Sequence, residues 1–176
     1  MSHEDASLPL REWVGVRARQ LVVWFVGLPS SGKSTLAREV ASKLEHSVLL
    51  DGDEVRACLH PSLGYTEEER DAFYETLSQL ASLIARQGHI VLVPATANLR
   101  FFRQRARALA PKFIEVFVDT PLEECARRDS KGLYAAQASG LPGLDVAFED
   151  PVSPDVIVKP GDGAESVLLA ISAASV

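Results

Sequence analysis

Short apolar runs alternate with longer amphipathic stretches along this chain of 176 residues. The apolar runs are rich in β-branched residues and cover 21–26, 47–50, 90–93, 113–118 and 156–158. Continuous apolar runs of this length predict strands buried on both faces, as in a parallel sheet. The amphipathic stretches predict helices over about 33–45, 53–59, 66–87, 98–109, 121–129 and 163–173. Because strands and helices alternate, the pattern predicts an α/β fold.

The longest predicted helix carries its own start and stop signals. Thr66 and Glu69 have the T-x-x-E spacing of a capping box, and Gly88 follows the last apolar position. Arg70 lies near the apolar face, close to the first turn of this helix. Two interpretations of Arg70 remain open: a cation that faces a cleft, or an arginine at the core edge that pairs with a nearby glutamate.

Chain length favours one domain over 21–176, preceded by a weakly patterned N-terminal arm over 1–20. The stretch 130–150 is rich in glycine and proline and is too long and polar for a simple connection. Long loops in compact domains are usually lids or binding loops. We therefore expect a lid over 130–150.

Composition and charge exclude several classes of protein. The net charge of −6 argues against a nucleic-acid-binding surface, since phosphate backbones require a basic one. The apolar runs fall short of the roughly 20 residues of a membrane span, and the N-terminus has no secretory pattern. Cys58 and Cys125 lack the spacing of a zinc site or a disulfide framework, so ordinary thiols in a reducing cytoplasm are expected.

Residues 27–34 read GLPSSGKS and fit the phosphate-binding pattern G-x-x-x-x-G-K-[ST], between a predicted strand and a predicted helix. The glycines let the backbone turn and point its N–H groups at phosphate, and Lys33 adds a charge for the β/γ oxygens. The hydroxyl of Ser34 suits Mg²⁺. The alternative is a glycine-rich turn with an exposed lysine. The predicted ATP-binding residues are Gly27, Leu28, Pro29, Ser30, Ser31, Gly32, Lys33, Ser34 and Thr35.

A second group of charged residues follows the second predicted strand. Asp51, Asp53 and Arg56 come where that strand ends, at the edge of an α/β sheet where ligands bind. One carboxylate could orient or deprotonate an acceptor hydroxyl, and the other could hold Mg²⁺ through water or bind the acceptor. The alternative is a helix N-cap, a common place for aspartate. No NKxD sequence appears, which argues against a GTPase.

Four segments in order resemble one family closely: GLPSSGKST, LLDGDEVR, LGYTEEER and FIEVFVDTPLEECARRDSKGLY. They resemble the adenylyl-sulfate kinases, which phosphorylate the 3′-hydroxyl of adenosine 5′-phosphosulfate (APS). The resemblance covers about 21–160. It implies a three-layer P-loop NTPase fold with a mostly parallel five-stranded sheet, an ATP-dependent and Mg²⁺-dependent reaction, and 3′-phospho-APS (PAPS) as the product, as in sulfate assimilation.

The resemblance also implies roles for individual positions. Lys33 and Asp51 would be catalytic, with Asp51 near the 3′-hydroxyl, and Ser34 would contact Mg²⁺, with Asp53 as a second contact through water. Arg127 and Arg128 would stabilise the charge of the transferred phosphoryl group, and their alternative is a solvated basic patch. The residues implied to contact APS are Asp53, Arg56, Tyr65, Arg70, Lys131, Gly132 and Leu133.

The sequence departs from the family pattern on the acceptor side. Phe73 and Tyr74 lie in a stretch where the family usually has an asparagine and basic residues, and Ala97 stands at its phosphorylatable serine. The loop over 135–145 is shorter and lacks an aromatic residue. Two further hypotheses therefore stay open: the same chemistry on another nucleotide-linked or sulfated hydroxyl, and a non-catalytic nucleotide-binding module.

Local charge points to small polyanionic ligands in spite of the negative total. Cations collect at Arg127, Arg128 and Lys131, and in a second group at Arg100, Arg103, Arg105 and Arg107. The expected partners are a small nucleotide substrate, an ATP sulfurylase and a second copy of the chain, with Trp13 and Val14 of the arm as candidates for the dimer contact. Neither nucleic acid nor a membrane is expected.

Overall fold

The computed structural model describes residues 20–136 and 139–174. Almost all of the predicted arm, including Trp13 and Val14, lies outside the described residues. The elements run in the order β1 (Leu21–Val26), α1 (Lys33–Ser42), β2 (Ser47–Leu49), α2 (Gly52–Cys58), α3 (Glu67–Arg86), β3 (Ile90–Pro94), α4 (Arg100–Leu109), β4 (Phe113–Val118), α5 (Leu122–Arg128), β5 (Val156–Val158) and α6 (Glu165–Ala174).

The strands form one five-stranded sheet in the order β2-β3-β1-β4-β5. Every pairing between neighbouring strands is parallel. Alternate residues of β1 point into two separate apolar clusters, one shared with α1 and α6 and the other with α3 and α4. The predicted three-layer α/β architecture is therefore confirmed, with β1 at the centre of the sheet.

Burial differs between the central and the edge strands. All residues of β1 and β3 are buried. By contrast, β2 is only half-buried, and Ile157 of β5 is 52% exposed. The prediction of burial on both faces is wrong for these two strands, because an edge strand has a neighbour on one side only.

The capping box predicted at the start of α3 is confirmed. The Glu69 N–H donates to the Thr66 hydroxyl at 3.2 Å, and the Thr66 N–H donates to the Glu69 carboxylate at 3.0 Å, which completes the capping box. The helix ends at Arg86, and Gly88 follows with φ +98°, a conformation that favours glycine. This capped helix places Arg70 in its first turn, beside the carboxyl edge of the sheet.

The predicted lid region is anchored at its C-terminal end. Asn98 donates its side-chain N–H to the Ala147 carbonyl at 3.0 Å, and its own carbonyl accepts the Glu149 N–H at 2.8 Å. Arg103 donates to the Glu149 carbonyl at 2.6 Å.

Within 20–136 and 139–174, no helix combines the length and the apolarity that crossing a bilayer requires.

Candidate active site

A cleft of about 910 Å³ opens at the carboxyl edge of the sheet. The P-loop forms one wall, and the start of α2, the start of α3 and parts of 128–142 form the other. Six cationic side chains and three carboxylates line the cleft, so it is locally positive in a chain whose net charge is −6. They are Lys33, Arg38, Arg56, Arg70, Arg128 and Lys131, with Asp51, Asp53 and Glu54.

The backbone of the P-loop is held by close packing, by a bond from α5 and by a bond from the segment after β4. A Cβ atom at Gly27 would lie 2.7 Å from the Val118 carbonyl oxygen, so only glycine fits there. Gly32 has φ +102° and directly precedes α1, whose free N–H groups face the loop. The Ser31 carbonyl accepts bonds from the Thr120 hydroxyl at 2.9 Å and from Arg128 at 3.2 Å. Neither of these supports was identified from the sequence.

Lys33 is a buried cation of the cleft. Its ammonium donates to the carbonyls of Gly27 at 2.9 Å and of Leu28 at 2.6 Å. Burial, together with the nearby charge of Lys131, lowers the pKa of Lys33 from 10.5 to about 8. A polyphosphate in the loop would offer this ammonium anionic partners in place of neutral carbonyls.

Asp51 is the helix N-cap that one of the two interpretations named, and it also lines the cleft. It is the N-cap of α2, because its carboxylate accepts the Asp53 N–H at 3.1 Å. The same carboxylate lines the cleft, is 5% exposed as a residue, and lies 3.5 Å from the guanidinium of Arg38. Arg38, on α1, was not identified from the sequence, because its position in the helix gives no sign that it reaches α2.

Two of the predicted acceptor residues, Arg56 and Tyr65, form a stacked cluster with Phe73 beside the cleft. The guanidinium of Arg56 lies 3.7 Å from the Phe73 ring centroid and 4.7 Å from that of Tyr65. Arg56 also donates to the Leu63 carbonyl at 3.2 Å and the Gly64 carbonyl at 2.6 Å, which fixes the turn before α3. Desolvation lowers the pKa of Arg56. This cluster leaves the ring of Tyr65 61% exposed beside the cleft.

Arg70 is buried and faces the cleft, so both interpretations of it hold in part. It is 8% exposed, and it donates to the Tyr65 carbonyl at 2.9 Å and to the Gly140 carbonyl at 2.5 Å. These partners are carbonyls, not the glutamate that the second interpretation named. Arg70 thereby ties the start of α3 to the lid region.

Phe73 and Tyr74, at the departures from the family pattern, are both buried. The Tyr74 hydroxyl accepts the Ala97 N–H at 2.8 Å, so this residue supports the segment after β3. Burial raises the pKa of Tyr74. Ala97 is itself fully buried, and its carbonyl accepts a bond from Arg103 at 2.6 Å.

The segment after α5 lies across the cleft and contacts both walls. Lys131 pairs with Asp53, and the Tyr134 hydroxyl donates to the Pro29 carbonyl of the P-loop at 3.0 Å. Leu133 lines the cleft, and Gly132 has φ +66° with no atom within 4 Å of a Cβ built on it. The carboxylate of Asp129 accepts the Tyr134 N–H at 3.0 Å, which shapes the turn.

The two arginines at the end of α5 have different places. Glu124 holds both: one oxygen accepts Arg127 at 2.6 and 3.0 Å, and the other accepts Arg128 at 2.9 Å. Arg128 lines the cleft, whereas the side chain of Arg127 is 76% exposed and lies outside the lining. These bonds lower the pKa of Glu124. Glu124 was not identified from the sequence, although its spacing of three and four from the two arginines was a usable signal.

The arginines of α4 are not part of the cleft, which corrects the expectation drawn from charge. Arg103 is buried and pairs with Glu115 of β4 at 2.9 Å. The other three donate hydrogen bonds to acidic residues: Arg100 to Glu149 and Asp150, Arg105 to Asp71, and Arg107 to Asp155. This group therefore ties the elements of the fold together.

The donor set of the cleft fits Mg²⁺ bound together with a phosphate ligand. The Ser34 hydroxyl and the carboxylates of Asp51 and Asp53 all line the cleft. Among the described residues, no group of three or more histidine, cysteine, aspartate or glutamate side chains could hold a metal alone. Mg²⁺ usually takes one or two protein oxygens and completes its shell with water and substrate phosphates.

As for the cysteines, Cys58 is exposed and Cys125 is buried, and both are free.

Comparisons with known proteins agree with this geometry. A family model described as "Adenylylsulphate kinase" matches residues 19–159. The chain is 44% identical over 148 residues to the bifunctional enzyme NodQ of Rhizobium meliloti, which covers 78% of this chain. It spans only 23–25% of the length of the NodQ relatives. It is 42% identical to an adenylyl-sulfate kinase of Synechococcus sp. strain JA-3-3Ab, covering 80% of this chain and 85% of that one.

The solved structures include the APS kinase CysC of Mycobacterium tuberculosis in complex with AMPPNP and APS. It superposes with a TM-score of 0.79 at 37% identity and covers 87% of this chain and 95% of that one. A sugar kinase from Janibacter sp. matches with a TM-score of 0.57 at 22% identity, which shows a shared fold alone. The P-loop NTPase fold expected from the sequence is thus confirmed.

Proposed function

This chain belongs to the adenylylsulphate kinase family, and from that premise we propose that it transfers the γ-phosphoryl group of ATP to the 3′-hydroxyl of APS and so forms PAPS. The observation that carries this proposal is that one cleft joins an intact P-loop to a buried carboxylate and a cationic opposite wall. A direct transfer needs both substrates in line within one water-excluding site.

The P-loop wall binds ATP in this proposal. Backbone N–H groups of 27–35 and the start of α1 hold the β- and γ-phosphates, and the ammonium of Lys33 moves from neutral carbonyls to the γ-phosphate oxygens. The hydroxyl of Ser34 would hold Mg²⁺, with Asp53 as a contact through water. Mg²⁺ bound there would supply positive charge to the β- and γ-phosphate oxygens. Arg128, beside Ser31 and Gly32, stabilises the transferred charge.

The opposite wall holds the acceptor. The 3′-oxygen attacks the γ-phosphorus, the bond to the ADP oxygen breaks, and the hydroxyl proton leaves toward the carboxylate of Asp51. Tyr65 offers an exposed ring to the base, and Lys131 offers charge to the sulfate and phosphate oxygens. The remaining contacts proposed for APS are Asp53, Arg56, Arg70, Gly132 and Leu133. Arg127 acts through Glu124, which holds Arg128 in place.

The segment over 130–150 acts as the lid in this proposal. It already contacts the P-loop through Tyr134 and the acceptor wall through Lys131 and Arg70. A cover that touches both walls excludes water, which would otherwise accept the phosphoryl group. We place the whole reaction in one domain over 21–176.

The experiment is a coupled assay of ADP release by the purified protein with ATP and Mg²⁺, with and without APS, and with PAPS identified by chromatography. We expect APS to stimulate ADP release and PAPS to accumulate in equal amount. ADP release that APS does not stimulate would contradict the proposal.

A second candidate acceptor follows from the packing of Phe73. This ring lies in the stretch where the family usually has an asparagine and basic residues, and Arg56 stacks on it while it donates to two carbonyls. The acceptor wall thereby offers fewer free polar groups, which suits another nucleotide-linked hydroxyl. A panel of nucleotide-linked and sulfated alcohols in the same assay separates the two: the better acceptor has the higher kcat/KM.

The cellular context of this reaction requires a supply of APS. Since the relatives include bifunctional proteins, one of them named as "Probable bifunctional SAT/APS kinase 2", we propose that the protein works in the cytoplasm beside an ATP sulfurylase. We further propose a homodimer, which sedimentation at several concentrations tests directly.

A further inference from the structure

The carboxylate of Asp51 is held from two sides. One oxygen, Oδ1, accepts the Asp53 N–H at 3.1 Å as the cap of α2. The other oxygen, Oδ2, lies 3.5 Å from the guanidinium of Arg38, which reaches across from α1. We propose that Arg38 is a positioning residue that sets the orientation of the Asp51 carboxylate for phosphoryl transfer.

Arg38 connects the two walls of the cleft. It lies on α1, the helix that begins at the P-loop, and its guanidinium also lies 3.3 Å from the carboxylate of Glu54 in the first turn of α2. The start of α2 is therefore fixed relative to the helix that carries Lys33. Since transfer requires the acceptor oxygen and the γ-phosphate in line, a link between these two elements acts on the reaction geometry itself.

The exposure of these side chains favours a role in orientation over a role in folding. The side chains of Arg38 and Glu54 are 55% and 70% exposed, and pairs this exposed contribute little to stability. The side chain of Asp51 is 6% exposed, so solvent screens its side of the contact poorly. The terminal torsion of an aspartate is broad, and one hydrogen bond from an amide leaves the carboxylate free to pivot. A cation at Oδ2 restricts this pivot.

Other cations of the cleft are engaged elsewhere. Arg56 and Arg70 donate to backbone carbonyls of the acceptor wall, Lys131 pairs with Asp53, and Arg128 pairs with Glu124. Among the ion pairs of the described residues, the one that reaches Asp51 comes from Arg38. Loss of this guanidinium would therefore not be compensated by a neighbour.

The inference rests on the proposed function and is tested with Arg38→Met, Arg38→Lys and the matched control Lys43→Met. Lys43 follows α1 directly and pairs with Glu39 and Glu165, away from the cleft. We expect Arg38→Met to lower kcat about tenfold with little change in the KM for ATP, because the carboxylate is misoriented while the P-loop is intact. Arg38→Lys should recover most of kcat, and Lys43→Met should match the wild type.

The same change in an Asp51→Asn background separates positioning from other roles. If Arg38 acts through the Asp51 carboxylate, Arg38→Met should lower kcat no further in that background. An equal loss in both backgrounds would overturn the inference. So would a rise in the KM for APS with kcat unchanged, since Arg38 would then bind the acceptor directly.

Hydrogen exchange gives a readout that does not depend on the acceptor. The Asp53 amide is bonded to Asp51, so Arg38→Met should speed its exchange while Lys43→Met leaves it unchanged. If the wild type fails to phosphorylate APS, the proposed function fails, and the exchange rate still decides the inference. An Asp53 amide that exchanges equally in both variants and the wild type would refute the role of Arg38.

Discussion

The two walls of the cleft are built in different ways. The P-loop wall is a continuous stretch over 27–35 whose shape follows from backbone geometry and from one steric requirement at Gly27. The acceptor wall is assembled from separate segments, joined by side-chain bonds such as the one from Arg70 to Gly140, 70 positions apart. A wall formed by one short segment tolerates few substitutions. A wall built from several segments can change whenever the sequence of one of them changes. This difference explains why the ATP side follows the family pattern closely while the acceptor side departs from it.

The sharpest test of the P-loop wall is Lys33→Ala. We expect kcat/KM to fall by about 10³-fold, because the change removes a buried cation that stabilises the transferring charge. The coupled ADP assay measures the loss. The control is Lys112→Ala, since the ammonium of Lys112 bonds the Ala174 carbonyl away from the cleft. Near-normal turnover in Lys33→Ala would contradict the assignment of this wall to ATP.

Asp51→Asn tests the acceptor wall with the helix cap preserved. Asparagine caps a helix as well as aspartate does, so we expect an unchanged melting temperature and a kcat lowered by about 10²-fold or more. ATP affinity, measured by calorimetry, should not change. Asp51→Ala should add a loss of about 1 kcal/mol in the free energy of unfolding, because it removes the cap. A normal kcat in Asp51→Asn would show that Asp51 is a cap alone.

Tyr65→Leu probes the assembled wall at its most exposed point. The ring is 61% exposed, so its loss should leave the fold intact. We expect the KM for APS to rise about tenfold, as for the loss of one base-stacking contact, while the KM for ATP stays constant. A parallel rise in both constants would show that the two walls are coupled and not separate.

The pH dependence of ATP binding gives the smallest effect. The pKa of Lys33 is about 8 in the folded protein against an ordinary lysine value of 10.5, so ATP affinity should fall as the pH rises above 8. Calorimetry from pH 7 to pH 9.5 should show proton uptake on binding, and Lys33→Arg should flatten the curve. Affinity independent of pH in the wild type would contradict the low pKa.

The lowered pKa of Lys33 also makes the free energy of unfolding depend on pH. Because the folded value lies below the unfolded one, the unfolded chain binds more protons between pH 8 and 10.5. The contribution of Lys33 to the free energy of unfolding therefore rises with pH across this window. Denaturant titration of wild type and Lys33→Ala at several pH values measures it.

Local sequence signals predicted the features that depend on local physics. The apolar run of β1, the P-loop and the capping box of Thr66 and Glu69 each fix their structure within a few residues, so pattern was sufficient. The ends of shorter elements were less secure: α1 ends at Ser42 and not near 45, because the backbone of Lys43 leaves the helical conformation although Leu44 continues the apolar spacing.

Contacts between distant segments were beyond the reach of pattern. Arg38 and Thr120 act through partners on other segments, which the sequence does not place. The group of arginines on α4 was misjudged for the same reason. A signal existed in Glu115, a carboxylate inside an otherwise apolar strand, because a buried glutamate requires a cationic partner. The assignment of the individual acceptor residues stays a prediction.

Because β1 lies at the centre of the sheet, we expect denaturing conditions to disrupt the two walls of the cleft in a definite order. This strand is bonded on both sides, whereas β2, which leads to Asp51, and β5 lie at the edges of the sheet. Edge strands unfold locally at a lower free-energy cost than central strands. The earliest partly unfolded forms would therefore keep the P-loop that binds phosphate and lose the acceptor wall. A partly unfolded molecule would still bind nucleotide after it had lost the proposed phosphoryl transfer.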